Sequence, residues 1–243
     1  GITGAYGFVV RPGVETLVDV YAILFPRREI KKLGLAPLTS MFFHGENTRR
    51  HFDDFRPEAH DSDGLALHLA SGDWLWRPLD NPETLAVSSY DADDPLGYGL
   101  LQRDRSFSSY QDLETRAERR PSAWVEPVGA WGKGRVELVE IPTKSDTNDN
   151  VVAYWVPARE VKPGSPIEVA YRMFWYGDSL DRPPLGRVVS TRRDKGDKEG
   201  VQRFVVDFAG SGLEQRPPRE IVHGAPGMCR EDGVELLGQQ VMK

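Results

Sequence analysis

Residues 135–156 read RVELVEIPTKSDTNDNVVAYWV, two β-rich runs separated by nine polar residues. In an extended chain Val136, Leu138 and Glu140 project to one side and Glu137, Val139 and Ile141 to the other, the mixture expected of a strand covered on both faces near its end. The run 151–156 is β-branched and aromatic, which suits a second strand. The connection 142–150 (PTKSDTNDN) exceeds the usual hairpin loop of about 2–5 residues. Rigid strands at its feet let such a loop aim side chains into a cleft. Working outward, similar runs recur at 6–10, 16–24, 38–43, 65–69, 84–89, 98–102, 167–176, 187–191 and 202–208, with 24 Gly and 18 Pro punctuating the chain. This pattern predicts an all-β protein. One segment, 109–120, places Tyr110, Leu113 and Ala117 at helical spacing and predicts a short helix.

With 243 residues and 39% hydrophobic side chains, the chain can bury a core and form one large or two small domains. A net charge of −6 argues against nucleic-acid binding, which needs a basic face to release phosphate counterions. A single Cys229 excludes an intrachain disulfide and any Cys-pair metal site. His44, His51, His60, His68 and His223 share no metal-ligand spacing, so no metal is expected. A Walker A motif, a Gly-x-Gly-x-x-Gly after a strand and a Gly-x-Ser-x-Gly elbow are all missing, which leaves no expected cofactor and little for a serine hydrolase. No run approaches the roughly 18 apolar residues of a membrane span, and Gly1-Ile2-Thr3-Gly4 does not resemble a signal peptide.

The stretch 45–63 (GENTRRHFDDFRPEAHDSD) is too long for a simple connector, and Phe52 and Phe55 favour an ordered loop. The dip at 177–186 (GDSLDRPPLG), stiffened by Pro183-Pro184, reads as a linker. It divides a domain over 1–176 from a second, incomplete one over 187–243. Acidic residues gather in the two long loops: Asp61 and Asp63 in His-Asp-Ser-Asp-Gly, Asp146 and Asp149 in Asp-Thr-Asn-Asp-Asn. Two carboxylates across a cleft, one protonated and one ionised, meet the needs of glycosidic hydrolysis. The plainer alternative is that these are turn formers bonding their own backbone; a calcium loop lacks the remaining oxygen ligands. His60 could orient Asp61. The arginines of Arg49-Arg50 and of Arg116, Arg119 and Arg120 read as solvated charges. Trp74 and Trp76 point to one face of an extended segment, and Trp124 and Trp131 bracket a loop. Such rings stack on sugar C–H faces while Asn148, Arg77 and carboxylates take hydroxyls; the alternative for each tryptophan is a place in the core.

Several runs resemble one family: APLTSMF at 36–42, RPEAHDSDGL at 56–65, WLWRPL at 74–79, WGKGRVELVEIP at 131–142 and TNDNVVAYW at 147–155. These are similar to the periplasmic glucan biosynthesis proteins of the G and D types, and Gly45-Glu46-Asn47 with Phe52-Asp53-Asp54 leans toward the D type. The resemblance implies a large galactose-mutarotase-like β-sandwich, represented by its C-terminal half, followed by a truncated immunoglobulin-like sandwich. It implies a periplasmic protein acting on glucans with a β-1,2-linked backbone, either as an inverting endo-glucanase or as a binding and assembly factor. The general acid then falls on Asp149, the base, acting through water, on Asp61, and a third acid on Asp146, where the family usually has Glu. Against that family the chain begins late, without signal peptide or first half-sandwich, and its residues from Met228 onward depart from the pattern. A gene fragment or shifted frame, with unpaired strand edges, is the resulting expectation.

Overall fold

The computed structural model describes residues 1–48, 52–179, 182–184, 186–195 and 202–210. His51, His223, Cys229, Arg49-Arg50 and the stretch beyond 210 of the expected second domain lie outside the described residues. The chain divides into two compact units, Gly1–Asp178 and Ser179–Lys243.

The first unit contains β1 (Ile2–Arg11), β2 (Thr16–Pro26), β3 (Leu35–Ser40), β4 (Phe42–His44), β5 (Ala59–His60), β6 (Gly64–His68), β7 (Trp74–Pro78), β8 (Ala86–Asp91), β9 (Gly97–Leu101), β10 (Ser122–Pro127), β11 (Gly134–Glu140), β12 (Val151–Pro157) and β13 (Ile167–Tyr176). They form a seven-stranded antiparallel sheet ordered β1-β2-β13-β10-β9-β6-β7, a four-stranded sheet β3-β12-β11-β8, and the short pair β4-β5. The second unit contributes the antiparallel pair β14 (Arg187–Lys195) and β15 (Gln202–Ala209). The fold is all-β, as the sequence predicts.

Strand alternation decides which side chains meet. Val20, Ala22, Leu65, Leu67, Tyr98, Leu100 and Val125 of the large sheet share one core with Leu38, Val136, Leu138, Ala153 and Trp155 of the smaller one. On the other face of the large sheet Ala66, Leu101, Trp124, Phe174 and Tyr176 form a second cluster, against which Trp74 and Trp76 pack. At an edge of the large sheet, β1 leaves Tyr6, Phe8 and Val10 more than half exposed.

The expected helix over 109–120 does not form. A helical turn, α1, spans Phe107–Tyr110 and a 3-10 turn spans Ala117–Arg119. Between them Gln111 and Arg116 take left-handed backbones, φ 53° and 50°. The Asp112 carboxylate accepts N–H bonds from Glu114 and Thr115 at 2.9 and 3.1 Å, a local turn that competes with helix. Leu113, expected on the apolar face, is exposed. The expected strand 38–43 is likewise two strands, because the chain breaks at Met41 between β3 and β4. Among the described residues no helix is long and apolar enough to cross a membrane.

Candidate functional site

Strand β4 holds the two acidic loops together. Its Phe42 pairs with His60 of β5, and the Met41 carbonyl accepts the Asp61 N–H at 2.9 Å, so Asp61 emerges beside β4. The Phe42 N–H donates to Asn150 Oδ1 at 2.8 Å, and Asn150 Nδ2 donates to the carbonyls of Phe42 and Ile141, each at 3.0 Å. Asn150 is buried, and the residue before it, Asp149, is exposed. One short strand therefore anchors the residue preceding Asp61 and the residue following Asp149. A Ser40–Ser62 hydroxyl bond at 2.8 Å ties the end of β3 to the same loop.

The carboxylates sense one another. Burial raises the proton affinity of Asp61; Arg120, 3.3 Å away, and His60 oppose that, while the charges of Asp149 and Asp146 reinforce it. Asp61 lines a pocket with Arg56, Glu58, Tyr110, Asp112, Arg120 and Asp146, among others. Arg56 donates to Asp146 at 2.7 Å, to Asp54 at 2.7 Å and to Asp112 at 3.3 Å, joining three loops around this pocket. The Arg56 side-chain bond, with the Arg56 N–H and charge, outweighs burial and holds the Asp54 carboxyl well below the usual range.

His60, which also lines this pocket, is buried, with Nε2 2.8 Å from Glu58 Oε2 and Nδ1 3.0 Å from Gln102 Oε1. Asp63, whose Oδ2 accepts the N–H groups of Arg103 and Asp104, leaves its buried Oδ1 without a hydrogen bond; burial raises its pKa. Glu46, Glu58 and Asp104 each bring one carboxylate oxygen within 4.8 Å of the others. Glu58 already serves His60, and no metal is assigned to that group.

The remaining expected contacts are placed differently. Asn148 is exposed in the Asp149 loop, with Nδ2 3.5 Å from Thr143 Oγ1. Arg77 reaches the buried Glu140 at 3.0 Å, and Glu140 accepts the Asp80 N–H as well. Trp74 stacks on His68 and on Trp124, with ring centroids 4.2 and 5.4 Å away. Trp76 lies over Gly64, where an added Cβ would come within 2.1 Å of the indole, and carries the Arg103 guanidinium 3.6 Å from its ring centre. Both indoles pack on the second cluster, and since the Arg103 N–H also binds Asp63, Trp76 is linked in addition to the acidic loop. Trp131 donates its N–H to the Ala170 carbonyl at 3.1 Å and packs on Trp155 and Tyr171. It precedes β11, whose seven residues put it about 20 Å from the end that carries the Asp146–Asp149 loop. Asp61, Asp146 and Asp149 thus come together, His60 adjoins Asp61, and Trp131 stands at the far end.

Sequence reasoning missed Arg120, Arg56, Asn150, Glu58 and Gln102. Arg120, read as a solvated charge, pairs with Asp61 across 59 residues of chain, a separation that local pattern does not encode. Asn150 carried a faint signal, as the last polar residue before β12.

Comparison with known proteins matches residues 1–236 to the family described as "Periplasmic glucan biosynthesis protein, MdoG". The chain is 54% identical over 225 residues to "Glucans biosynthesis protein G" of Ralstonia nicotianae, covering 89% of this chain and 45% of that protein. It is 49% identical over 227 residues to "Glucans biosynthesis protein G" of Pseudomonas aeruginosa strain LESB58, covering 89% and 43%. It is 50% identical over 218 residues to "Probable glucans biosynthesis protein D" of Shewanella oneidensis, covering 87% and 40%. The chain therefore spans less than half the length of these relatives.

Proposed function

The chain belongs to the periplasmic glucan biosynthesis protein family, and from that membership we propose that it binds a β-1,2-linked glucan in the periplasm and carries the residues for cleaving it with inversion. In this reading Asp149 protonates the leaving glycosidic oxygen and Asp61 accepts the proton of the attacking water. The observation that carries it is the shared anchorage on β4, which holds Asp61 and the Asp149 loop side by side although 88 positions separate them in the sequence. The chemistry suits the division of labour. Asp149 is exposed, where a leaving oxygen can reach it, while Asp61 is half-buried, and the charge of Arg120 offsets part of the rise in pKa that burial imposes on it. Asp146, tied to Arg56, contributes negative charge that a developing oxocarbenium centre can use.

A binding role without cleavage is favoured by one observation, the Arg120 ion pair, which occupies the Asp61 carboxylate that water must reach. The two readings separate in a chimera in which this chain replaces the matching region of the Ralstonia nicotianae relative. Incubated with linear β-1,2-glucan, the chimera should release reducing ends with the α-configured product of inversion, and its Asp149→Asn form should not. Retention of glucan on an affinity gel by both forms, with no reducing ends from either, would assign binding alone.

A further inference from the structure

We propose that His60 is held as an imidazolium and acts as a positioning residue, its charge favouring the ionised Asp61 carboxylate; this rests on the reading of Asp61 as the base. The argument is an accounting of donors. Gln102 Nε2 faces two carbonyl oxygens, Ala117 O at 3.2 Å and His60 O at 3.4 Å, as well as the Tyr110 hydroxyl at 2.6 Å. Carbonyl oxygens only accept, so the nitrogen of the amide must point at them and its oxygen at His60. His60 Nδ1, 3.0 Å from that oxygen, therefore carries hydrogen. Tyr110 agrees with this polarity, since its hydroxyl accepts from Gln102 and donates to the Asp104 carbonyl at 3.0 Å.

With Nδ1 protonated, a neutral ring would turn the lone pair of Nε2 toward Glu58 Oε2 across 2.8 Å. Two lone pairs at that distance repel, so a proton lies between them, and imidazole is the more basic partner. No water can replace it: the ring is 1% exposed, Phe42 stacks on it with centroids 5.2 Å apart, and Tyr110 meets it edge-on at the same distance. Burial alone would discharge the ring, but the bond and charge of Glu58, followed by the charge of Asp63, outweigh it and raise its pKa. The charged groups facing the neighbouring Asp61 are Arg120, Asp149 and Asp146, so His60 and Arg120 together oppose the two carboxylates and the burial.

The test reads protonation directly in the full chain and needs no turnover. Long-range proton–nitrogen spectra of 15N-histidine-labelled protein at pH 7.5 should give both His60 ring nitrogens as protonated, with the signal assigned by its loss in His60→Gln. One protonated and one unprotonated nitrogen in the unmodified chain would overturn the proposal. In Glu58→Gln, one His60 nitrogen should move to the unprotonated range, and the midpoint of the Asp61 carboxyl carbon titration should move to higher pH, because the adjacent imidazolium is lost. An unchanged or lowered Asp61 midpoint, once His60 is neutral, would also overturn it. Failure of the chimera to cleave glucan alters neither signal, so the fate of the enzyme reading stays separate.

Discussion

The strands β11 and β12 are finished in opposite ways at their two ends. At the Gly134–Pro157 end, Trp131 and Trp155 pack with ring centroids 5.1 Å apart, and each indole N–H is given to a backbone carbonyl, Ala170 and Ala92 respectively. Gly134 makes that packing possible, because a Cβ there would approach the Trp155 ring to 2.3 Å. At the Glu140–Val151 end the same strands hold carboxylates: Glu140 buried against Arg77, Asp146 against Arg56, and Asp149 exposed beyond the Asn150 anchor. The first end is closed by these indoles, and the carboxylates beside them, Asp93 and Asp94, accept the Gly134 and Gly132 N–H groups. The second concentrates like charge and leaves Asp63 Oδ1 without a hydrogen bond, a cost to stability that fits the role proposed for it.

Breaking each end should therefore give opposite signatures. Asp149→Asn removes an exposed acid and should lower glucan cleavage in the chimera by about 10²–10⁴-fold, the usual contribution of a general acid. Its unfolding free energy in urea should stay within about 0.5 kcal/mol of the unmodified chain, as for other surface substitutions. Trp155→Ala should do the reverse. It empties a fully buried indole site and should destabilise the first unit by about 3–5 kcal/mol in urea unfolding. Under conditions where the variant remains folded, its cleavage rate should match the parent within a small factor. A Trp155→Ala protein that is folded yet inactive would mean the two ends are coupled.

Asn150→Ala sharpens the comparison because it stands at the boundary. Three hydrogen bonds are lost and the buried Phe42 N–H is left unpaired, a loss of about 3 kcal/mol at roughly 1 kcal/mol per bond. Since the same bonds fix the Asp149 loop to β4, activity should fall as well. Full activity with reduced stability would show that β4 does not set the geometry of Asp149.

The contrast between the ends also explains what could be read from the sequence. The strands at 135–141 and 151–156 are legible because period-two alternation and β-branched residues are local signals, and they map onto β11 and β12. Strand β10 escapes because SAWVEP begins after one proline, ends on another and lacks a long alternating run; its place is set by β9 and β13 on either side. The helix over 109–120 is misread because three apolar residues at helical spacing outweighed Asp112, whose carboxylate draws the backbone into a turn. In the site, the carboxylates are legible as residue types, and their pairing follows from the family resemblance. The supporting cations are not, because Arg56 and Arg120 meet their partners through tertiary contacts 90 and 59 residues distant.

The smallest effect concerns Asp61 and has a defined sign. Burial, with the charges of Asp149 and Asp146, raises its folded-state pKa above 3.8 despite Arg120 and His60. The unfolded chain gives up this proton first as pH rises, so the native state loses stability between the unfolded and the folded pKa, and the whole penalty is present above both. Asp61→Asn removes that penalty. The variant should melt higher than the parent at pH 7, by a few degrees at most given that 1 kcal/mol moves a unit of this size by about 2–4 °C. Its advantage should shrink as the pH falls toward 3.5, where the Asp61 carboxyl is increasingly protonated in both the native and the unfolded chain. Paired thermal scans at pH 3.5 and pH 7 measure the difference. An advantage that does not grow with pH would mean that the carboxylate is not disfavoured in the native state, and that the acidic end is as well satisfied as the tryptophan end.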